Sequence, residues 1–219
     1  MSLKLYAHPF SSYCQKAFIA FYEKNVPFDL HLLASENPAA GEELKTLWPL
    51  ERFPVLQADG KTLLESSIII EWLDQRFPWS VRLVPADADQ ALEVRMYDRI
   101  FDNYVMTPMQ AIVFDRIRPE DARDPYGVGQ SRAMLDKAYA WLDKKMATRE
   151  WAAAESFTLA DCAAAPALFY ANWVHPFDEH KHLVAYYERL RARPSVIRAI
   201  DGGRPYRHFF PGGVPAGRD

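Results

Sequence analysis

Apolar and polar residues alternate at the start of the chain, and the pattern then becomes helical. Residues 3–7 alternate as in a short strand, whereas apolar residues within 13–24 recur at the spacing of one helical face. Alternation returns over residues 28–32, which predicts a second strand. A strand, a helix and a strand in this order form a βαβ unit, so we expect the two strands to be parallel.

The next segment predicts a hairpin and two further helices. Residues 34–51 contain prolines and a glycine and predict one irregular helix. Two apolar runs then flank Asp59-Gly60, a strong short-range signal for a β-hairpin. Apolar positions within residues 66–77 recur at helical spacing, and Pro78 follows the end of that helix. The first part of the chain is therefore predicted to be βαβ followed by ββα.

Beyond Pro78 the apolar pattern is helical. Asp87 and Gln90 resemble a capping box that opens a long helix. Residues 162–174 are uncharged and largely apolar, but they fall short of the ~20 residues that a membrane span needs. We interpret them as a buried core helix. The glycine- and proline-rich residues 202–219 predict an irregular tail.

These patterns predict a small α/β domain followed by an all-helical one. We place the α/β domain at residues 1–79, a linker at residues 80–87 and the helical domain with its tail at residues 88–219. A length of 219 residues suits two small domains or one large domain. The hydrophobic fraction of 49% and the charged fraction of 25% are ordinary for a soluble globular protein.

Charge and cysteine content narrow the range of partners. The chain has 26 Lys and Arg against 29 Asp and Glu, so no basic excess favours nucleic acid as a partner. Cys14 and Cys162 lie far apart and form no disulfide framework, which fits a reducing compartment. No apolar signal segment follows Met1. We therefore expect a cytoplasmic protein that binds neither nucleic acid nor a membrane.

The first candidate for chemistry lies where the first strand hands over to the first helix. Ser11 and Ser12 stand at the start of that helix. A helix start presents unpaired N–H groups and a partial positive charge, so it stabilises anions, and a hydroxyl there is well placed to handle a thiolate. Either serine could also serve only as the helix cap.

Two further candidates suit a peptide-like ligand. Pro54 opens a strand, and a cis Phe53–Pro54 bond would expose the backbone of Phe53, although only about 5–6% of X–Pro bonds are cis. Glu65 and Ser66 stand at the start of the next helix, where the helix N-terminus can hold a carboxylate and Glu65 an ammonium group. Capping by Ser66 is the structural alternative.

Two other segments predict structure or nothing beyond it. Thr158 and Asp161 form a capping pair that begins the buried helix, which Pro166 would kink. Residues 179–182 contain two histidines, but positions two apart on a helix point about 200° apart, so we expect no metal site.

Taken in order, these segments resemble the cytosolic glutathione S-transferase family, in a serine-type, bacterial-like form, over residues 3–200. The matching segments are Ser11-Ser12-Tyr13-Cys14-Gln15-Lys16, Phe53-Pro54-Val55-Leu56, Leu64-Glu65-Ser66-Ser67-Ile68-Ile69, Leu83-Val84-Pro85-Ala86-Asp87, residues 157–161 and Arg193-Pro194-Ser195-Val196. Each segment is weak alone, and their ordered coincidence is specific. The resemblance implies a thioredoxin-like N-terminal domain, glutathione as co-substrate, an electrophile site between the domains and a homodimer.

The resemblance also implies which residues contact glutathione. It makes the Phe53–Pro54 bond cis, against the base rate, and gives the Phe53 backbone to the cysteinyl part of glutathione. Glu65 and Ser66 would hold the γ-glutamyl end. Arg52 is a weaker candidate for the glycine end.

The resemblance makes Ser11 the residue that activates the thiol, with Ser12 as the alternative. Tyr6 could suggest the tyrosine-type classes, but Ser11-x-x-Cys14 fits those poorly. The omega and beta types carry cysteine at the activating position, where this chain has serine, and we expect Cys14 to be mainly structural. The zeta class has a double serine followed by cysteine, and Tyr13 breaks that pattern.

Side chains on both domains are candidates for the electrophile pocket, although core packing between helices would explain each of them equally well. The candidates are Phe10, Tyr13, Tyr104, Met106, Met109 and Phe114. The resemblance thus implies a transferase that ionises glutathione and adds it to a small hydrophobic electrophile. The alternatives are a glutathione-dependent isomerase or thiol transferase of the same fold, and a non-catalytic binding module.

Overall fold

A computed structural model describes residues 2–218 of the chain and begins with a four-stranded mixed sheet. The strands are β1 (Leu3–Ala7), β2 (Asp29–Leu32), β3 (Val55–Ala58) and β4 (Lys61–Leu64), in the spatial order β2-β1-β3-β4. Strands β1 and β2 are parallel, whereas β3 is antiparallel to both β1 and β4. The predicted βαβ unit and hairpin are confirmed.

The hairpin turn explains why Asp59-Gly60 is a strong signal. Asp59 has φ 51° and Gly60 has φ 74°, so both central residues adopt left-handed backbone conformations. A two-residue hairpin turn of this kind matches the right-handed twist of its strands, and Asp-Gly tolerates it well. Leu56 therefore pairs with Leu5 on one side and with Leu63 on the other.

Three helices cover the sheet. They are α1 (Ser12–Glu23), α2 (Pro38–Leu47) and α3 (Ser66–Arg76). Alternation along the strands sends Leu5 and Leu56 into the core shared with α1 and α3, and sends Tyr6 and Val55 into a smaller cluster with α2. The carboxyl end of β1 and the start of α1 thus meet at one edge of the sheet.

The second part of the described chain is helical. Its helices are α4 (Ala88–Ile100), α5 (Thr107–Arg116), α6 (Pro125–Met146), α7 (Leu159–Val174), α8 (Lys181–Arg191) and α9 (Pro194–Gly203), with short 3₁₀ turns at Glu120–Ala122 and Arg204–Phe209. Helix α4 runs into α5 through a π-helical segment, Phe101–Met106. The sequence predicted one uniform helix there and missed the wider turn.

Helix α7 is the central element of the fold. All its residues are buried, and it packs against α1, so the apolar core continues from the sheet into the helices. The predicted capping box is confirmed: Asp161 accepts from the Thr158 backbone N–H at 2.8 Å. Asp161 also accepts from the Tyr186 hydroxyl at 2.7 Å, which ties α8 to the same start.

The segment between the two parts is fixed by a buried aspartate. Asp74 accepts from the backbone N–H groups of Leu83 and Val84 at 2.9 and 2.6 Å, and Lys24 lies 2.8 Å from the same carboxylate.

The prediction of a wholly irregular tail is wrong at its start. Helix α9 extends to Gly203, and a 3₁₀ turn follows before the chain becomes irregular. Amphipathic burial of α9 stabilises this extension despite its two glycines.

Candidate functional site

A cleft of about 790 Å³ lies between the sheet edge and the helices α4, α5 and α7. The predicted thiol-handling and ligand-binding residues come together on its wall: Ser11, Ser12, Arg52, Phe53, Pro54, Glu65 and Ser66. They arrive from three separate turns, because the carboxyl end of β1, the start of β3 and the start of α3 lie at one edge of the sheet. The cleft is large enough for a tripeptide-sized ligand beside a second small molecule.

The predicted electrophile residues divide into two groups. Phe10, Tyr13, Met109 and Phe114 line the cleft. The prediction is wrong for Tyr104 and Met106: Met106 is 1% exposed inside the core, and Tyr104 is 49% exposed outside the cleft. Both lie in the π-helical segment, whose wider turn changes which side chains face the cleft.

Ser11 lies at the N-cap position of α1. Its backbone is extended, with φ −80° and ψ 127°, and its Oγ accepts from the Cys14 backbone N–H at 3.4 Å. A hydroxyl that accepts one hydrogen bond can still donate its own proton. Ser11 is half-buried, whereas Ser12 is buried as the first residue of the helix. The geometry therefore favours Ser11 as the hydroxyl that a ligand can reach.

Two other candidate activating groups point elsewhere. The Tyr6 hydroxyl donates to Glu43 Oε2 at 2.5 Å on the α2 side of the sheet. Burial, and to a smaller extent the nearby Glu43 carboxylate, raises the pKa of Tyr6 to about 12. The Cys14 side chain is fully buried, and burial raises the pKa of its thiol to about 12. Neither group is placed to stabilise a ligand thiolate.

The turn at Phe53 contains a cis peptide bond to Pro54, as the resemblance implied. Phe53 is 37% exposed, and Arg52 beside it is exposed at the mouth of the cleft. Pro54 itself is buried at the start of β3. The backbone of Phe53 is thus presented to the cleft by an anchored proline.

Glu65 has a left-handed backbone, with φ 69° and ψ 124°. A residue other than glycine in such a conformation costs about 1–3 kcal/mol, and strain of this kind collects at ligand sites. Glu65 occupies the N-cap position of α3, so the structural alternative, in which Ser66 caps this helix, is wrong. Ser66 is the first helical residue, where N–H groups have no partner within the helix and can bind a carboxylate.

A network of buried charged side chains lies next to the cleft wall at the start of α3. The Lys16 ammonium is 2.5 Å from Asp98 and 2.8 Å from Asp102, and it donates to Ser67 Oγ at 2.9 Å. Arg99 donates to Asp102 at 2.6 Å from the cleft side. Burial raises the pKa of Asp102, and Lys16 opposes that rise. The network links α1, α3 and α4 next to Ser66.

Several lining residues were not found from the sequence. Tyr170 reaches the cleft from α7, Gln110 from α5, and Phe209 and Phe210 from the tail. The tail is held there because Arg116 donates to the Pro211 carbonyl oxygen at 3.1 Å. The one sequence signal for this contribution was the aromatic pair Phe209 and Phe210 within a glycine- and proline-rich segment.

Among residues 2–218, no helix is long and apolar enough to cross a bilayer, and no cluster of His, Cys, Asp and Glu suits a metal ion.

Comparison with known proteins places this geometry in a family. Residues 5–82 match the model of the glutathione S-transferase N-terminal domain, and residues 105–194 match that of the C-terminal domain. A glutathione S-transferase-like protein, LUC7 from a Fusarium species, is 30% identical over 170 residues, which are 76% of this chain and 70% of that protein. A probable maleylacetoacetate isomerase 2 from Drosophila melanogaster is 25% identical over 78% of this chain and 75% of its own.

A solved structure shows the same architecture. The glutathione S-transferase of Methylobacillus flagellatus, crystallised with glutathione bound, is 27% identical with a TM-score of 0.82, over 90% of this chain and 98% of that one. This chain therefore belongs to the glutathione S-transferase family.

Proposed function

We propose that this chain ionises the thiol of glutathione with the help of Ser11 and transfers the resulting thiolate to small hydrophobic electrophiles. The observation that carries the proposal is the position of Ser11. Its hydroxyl stands at the N-terminus of α1, on the wall of the cleft, where the other candidate groups, Tyr6 and Cys14, do not reach.

The energy that this step needs is within reach of the site. A free thiol with a pKa of about 8.5 is only a few per cent thiolate at neutral pH. Lowering that pKa by about two units requires roughly 2.7 kcal/mol. A hydrogen bond to a charged group supplies about 1.5–3 kcal/mol and a helix N-terminus about 0.3–1 kcal/mol. Ser11 therefore acts as a hydrogen-bond donor to the thiolate and not as a base.

The rest of glutathione fits the polar wall. The backbone of Phe53 suits the cysteinyl part, as an extended peptide edge binds another peptide. The start of α3 at Ser66 suits the γ-glutamyl carboxylate, and Glu65 suits its ammonium group. Arg52, exposed at the mouth, suits the glycine carboxylate. The bound glutathione in the similar bacterial enzyme supports this choice of ligand.

The opposite wall suits an uncharged electrophile. Phe10, Tyr13, Met109 and Phe114 present aromatic and thioether surface. Burial raises the pKa of Tyr13 to about 12, so its phenol stays neutral at physiological pH. In the reaction the thiolate sulfur forms a C–S bond to the electrophilic carbon while the leaving group departs with the bonding electrons.

The alternatives draw on the same thiolate or on a cysteine. The similarity to a probable isomerase is a reason to test isomerisation. Thiol transfer by the protein needs a reactive cysteine, and both Cys14 and Cys162 are fully buried, so we favour conjugation.

We also propose a homodimer in the cytoplasm. Exposed apolar side chains lie along α3 and α4, namely Ile68, Leu92 and Met96. Exposed apolar side chains on both helices are available for association with a second copy. The two unpaired thiols suit a reducing compartment.

The test is conjugation of glutathione to an aryl halide, measured for wild type and for Ser11→Ala, Ser12→Ala and Cys14→Ala. We expect Ser11→Ala to lower turnover strongly while the KM for glutathione changes little, because the serine acts on the thiolate. The other two variants should keep most of the activity. Loss only in Cys14→Ala would favour thiol transfer instead, and failure of wild type to bind glutathione-agarose would favour a non-catalytic module.

A further inference from the structure

The loop that carries Ser11 is held by side chains from outside it. Residues 8–11 connect β1 to α1, and the Ser11 backbone N–H donates to the His8 carbonyl oxygen at 2.9 Å. The carbonyl oxygens of Pro9 and Phe10 point away from this turn. Each accepts a hydrogen bond from a buried side chain, Pro9 from Gln15 Nε2 at 3.0 Å and Phe10 from the Tyr170 hydroxyl at 2.8 Å.

These two side chains also bind each other. Gln15 Nε2 donates to the Tyr170 hydroxyl oxygen at 3.1 Å, which closes a chain of hydrogen bonds from Pro9 to Phe10. Gln15 is 2% exposed and Tyr170 is 4% exposed, so removal of either partner leaves a buried polar group without its hydrogen bond. We call this pair, Gln15 and Tyr170, the carbonyl clamp.

The clamp acts on the peptide unit that directly precedes Ser11. The Phe10 carbonyl group and the Ser11 N–H belong to one planar peptide. Fixing both ends of that plane fixes the direction of the N–Cα bond of Ser11 and so limits the orientations that the Ser11 hydroxyl can take. The Tyr170 ring also packs edge-on against the Phe10 ring, with centroids 5.6 Å apart.

A glycine from a third element makes room for the clamp. Gly203 ends α9, and a Cβ built there would lie 3.0 Å from Gln15 Nε2 and 3.1 Å from the Pro9 carbonyl oxygen. Both distances are tighter than ordinary contacts. A side chain at residue 203 would therefore push Gln15 or the Pro9 carbonyl group out of its present position. Tyr170 and Gly203 belong to the helical part of the chain, whereas Ser11 belongs to the sheet part.

We propose that Tyr170 and Gln15 are positioning residues for thiol activation, through which the helical domain sets the orientation of the Ser11 hydroxyl. The inference rests on the proposed role of Ser11. Tyr170 donates its proton to the Phe10 carbonyl oxygen and so acts on the thiol only through Ser11. Burial raises the pKa of Tyr170 far above its usual range, so the phenol keeps that proton.

The experiment is a pH titration of the ultraviolet absorbance of enzyme-bound glutathione thiolate, together with steady-state conjugation to an aryl halide. Tyr170→Phe removes one hydroxyl and keeps the ring. We expect the pKa of the bound thiol to rise and kcat to fall about three- to tenfold at neutral pH, with the KM for glutathione within about twofold. Gly203→Ala, which displaces Gln15, should shift the titration in the same direction.

Two comparisons separate positioning from a general loss of stability. Tyr139→Phe is the matched control, since the Tyr139 hydroxyl also donates to a backbone carbonyl oxygen, that of His175 at 3.1 Å, but outside the cleft. It should lower thermal stability and leave the thiol titration unchanged. In a Ser11→Ala background, Tyr170→Phe should produce no further shift, because the residue through which it acts is gone.

The outcomes are distinct. If wild type ionises bound glutathione, Ser11→Ala abolishes this, and Tyr170→Phe titrates like wild type, the clamp has no positioning role and the inference is overturned. A shift in Tyr170→Phe that persists undiminished in the Ser11→Ala background would overturn it as well. If wild type shows no bound thiolate at neutral pH, the proposed function fails and the clamp proposal fails with it.

Discussion

The ammonium group of Lys16 lies buried between two carboxylates, and its removal gives a demanding prediction. The Lys16, Asp98 and Asp102 side chains are 1%, 3% and 8% exposed, so solvent cannot take the place of the lost charge. Lys16→Met keeps a flexible side chain of similar length and leaves Arg99 as the cation still bound to both aspartates.

The expected loss of stability is large. Removing one partner of a buried ion pair costs about 3–5 kcal/mol, because the remaining charge stays desolvated. At about 2–4 °C per kcal/mol for a chain of this size, the Tm should fall by about 6–20 °C. The variant Lys16→Met with Asp102→Asn removes one excess negative charge and should recover part of that loss.

The loss should also depend on pH. Burial already raises the pKa of Asp102, and removal of Lys16 takes away the positive charge that opposes this rise. A carboxyl whose pKa is higher in the folded state than in the unfolded state contributes stability at low pH. That contribution is lost as the pH rises through the folded-state value. The stability difference between Lys16→Met and wild type should therefore widen from acidic to neutral pH.

Urea unfolding followed by tryptophan fluorescence at several pH values measures both effects. Lys45→Met is the matched control, because Lys45 forms its 2.8 Å ion pair with Glu42 on the surface, where both side chains are at least half exposed. Its unfolding midpoint should equal that of wild type. A loss below about 1 kcal/mol in Lys16→Met would refute the reasoning, since the most that an exposed ion pair contributes is about that much. So would a loss that is the same at every pH.

Four other predictions concern Glu65 on the cleft wall and the buried residues Cys14 and Tyr6. Glu65→Gln should raise the KM for glutathione about tenfold or more with little change in kcat, since a charge-assisted hydrogen bond is worth about 1.5–3 kcal/mol; steady-state kinetics at saturating electrophile checks this, and an unchanged KM would contradict it. Glu65→Gly should weaken binding in the same assay yet raise the free energy of unfolding by about 1 kcal/mol, because it relieves the backbone at φ 69°. Burial raises the pKa of Cys14 to about 12, so this thiol should react with a thiol reagent only after urea unfolding. Rapid labelling of Cys14 in the native protein would show that its side chain is accessible to solvent. Tyr6→Phe should keep wild-type turnover and lose about 1 kcal/mol of stability with the Glu43 hydrogen bond, whereas loss of turnover at full stability would point to a tyrosine-type enzyme.

Features that depend on residues close together in the sequence were predictable. Asp59-Gly60 specifies its hairpin because few other pairs tolerate two left-handed residues in succession. Thr158 and Asp161 specify a helix start because their side chains satisfy backbone donors three residues away. Ser11 was expected at a helix start and lies there. Each of these depends on neighbours within a few positions, which a single sequence displays.

Features that depend on distant partners were not predictable. Lys16 ends the matching segment that begins at Ser11, yet its partners Asp98 and Asp102 are more than eighty residues away, and only the tertiary fold brings them together. In the sequence, Tyr170 is one more residue of an apolar core helix. In the structure, its hydroxyl donates to the Phe10 carbonyl oxygen, 160 residues away.

The electrophile side of the cleft shows the same limit. The positions of Tyr104 and Met106 were misjudged because a uniform helical period was assumed across residues 101–106, where the backbone forms the wider π-helical turn. That turn has no sequence signal comparable to a capping box. The contribution of Phe209 and Phe210 was missed because the tail was predicted from its glycines and prolines alone.

The measurement that tests the central claim most directly is the pH titration of glutathione thiolate bound to wild type, Ser11→Ala and Ser12→Ala. Wild type and Ser12→Ala should hold glutathione mainly as the thiolate at neutral pH. The pKa of the bound thiol should lie about two units below the value of about 8.5 for a free thiol. Ser11→Ala should bind glutathione with similar affinity and hold it as the neutral thiol. A thiolate titration in Ser11→Ala that matches wild type would contradict the assignment of thiol activation to Ser11.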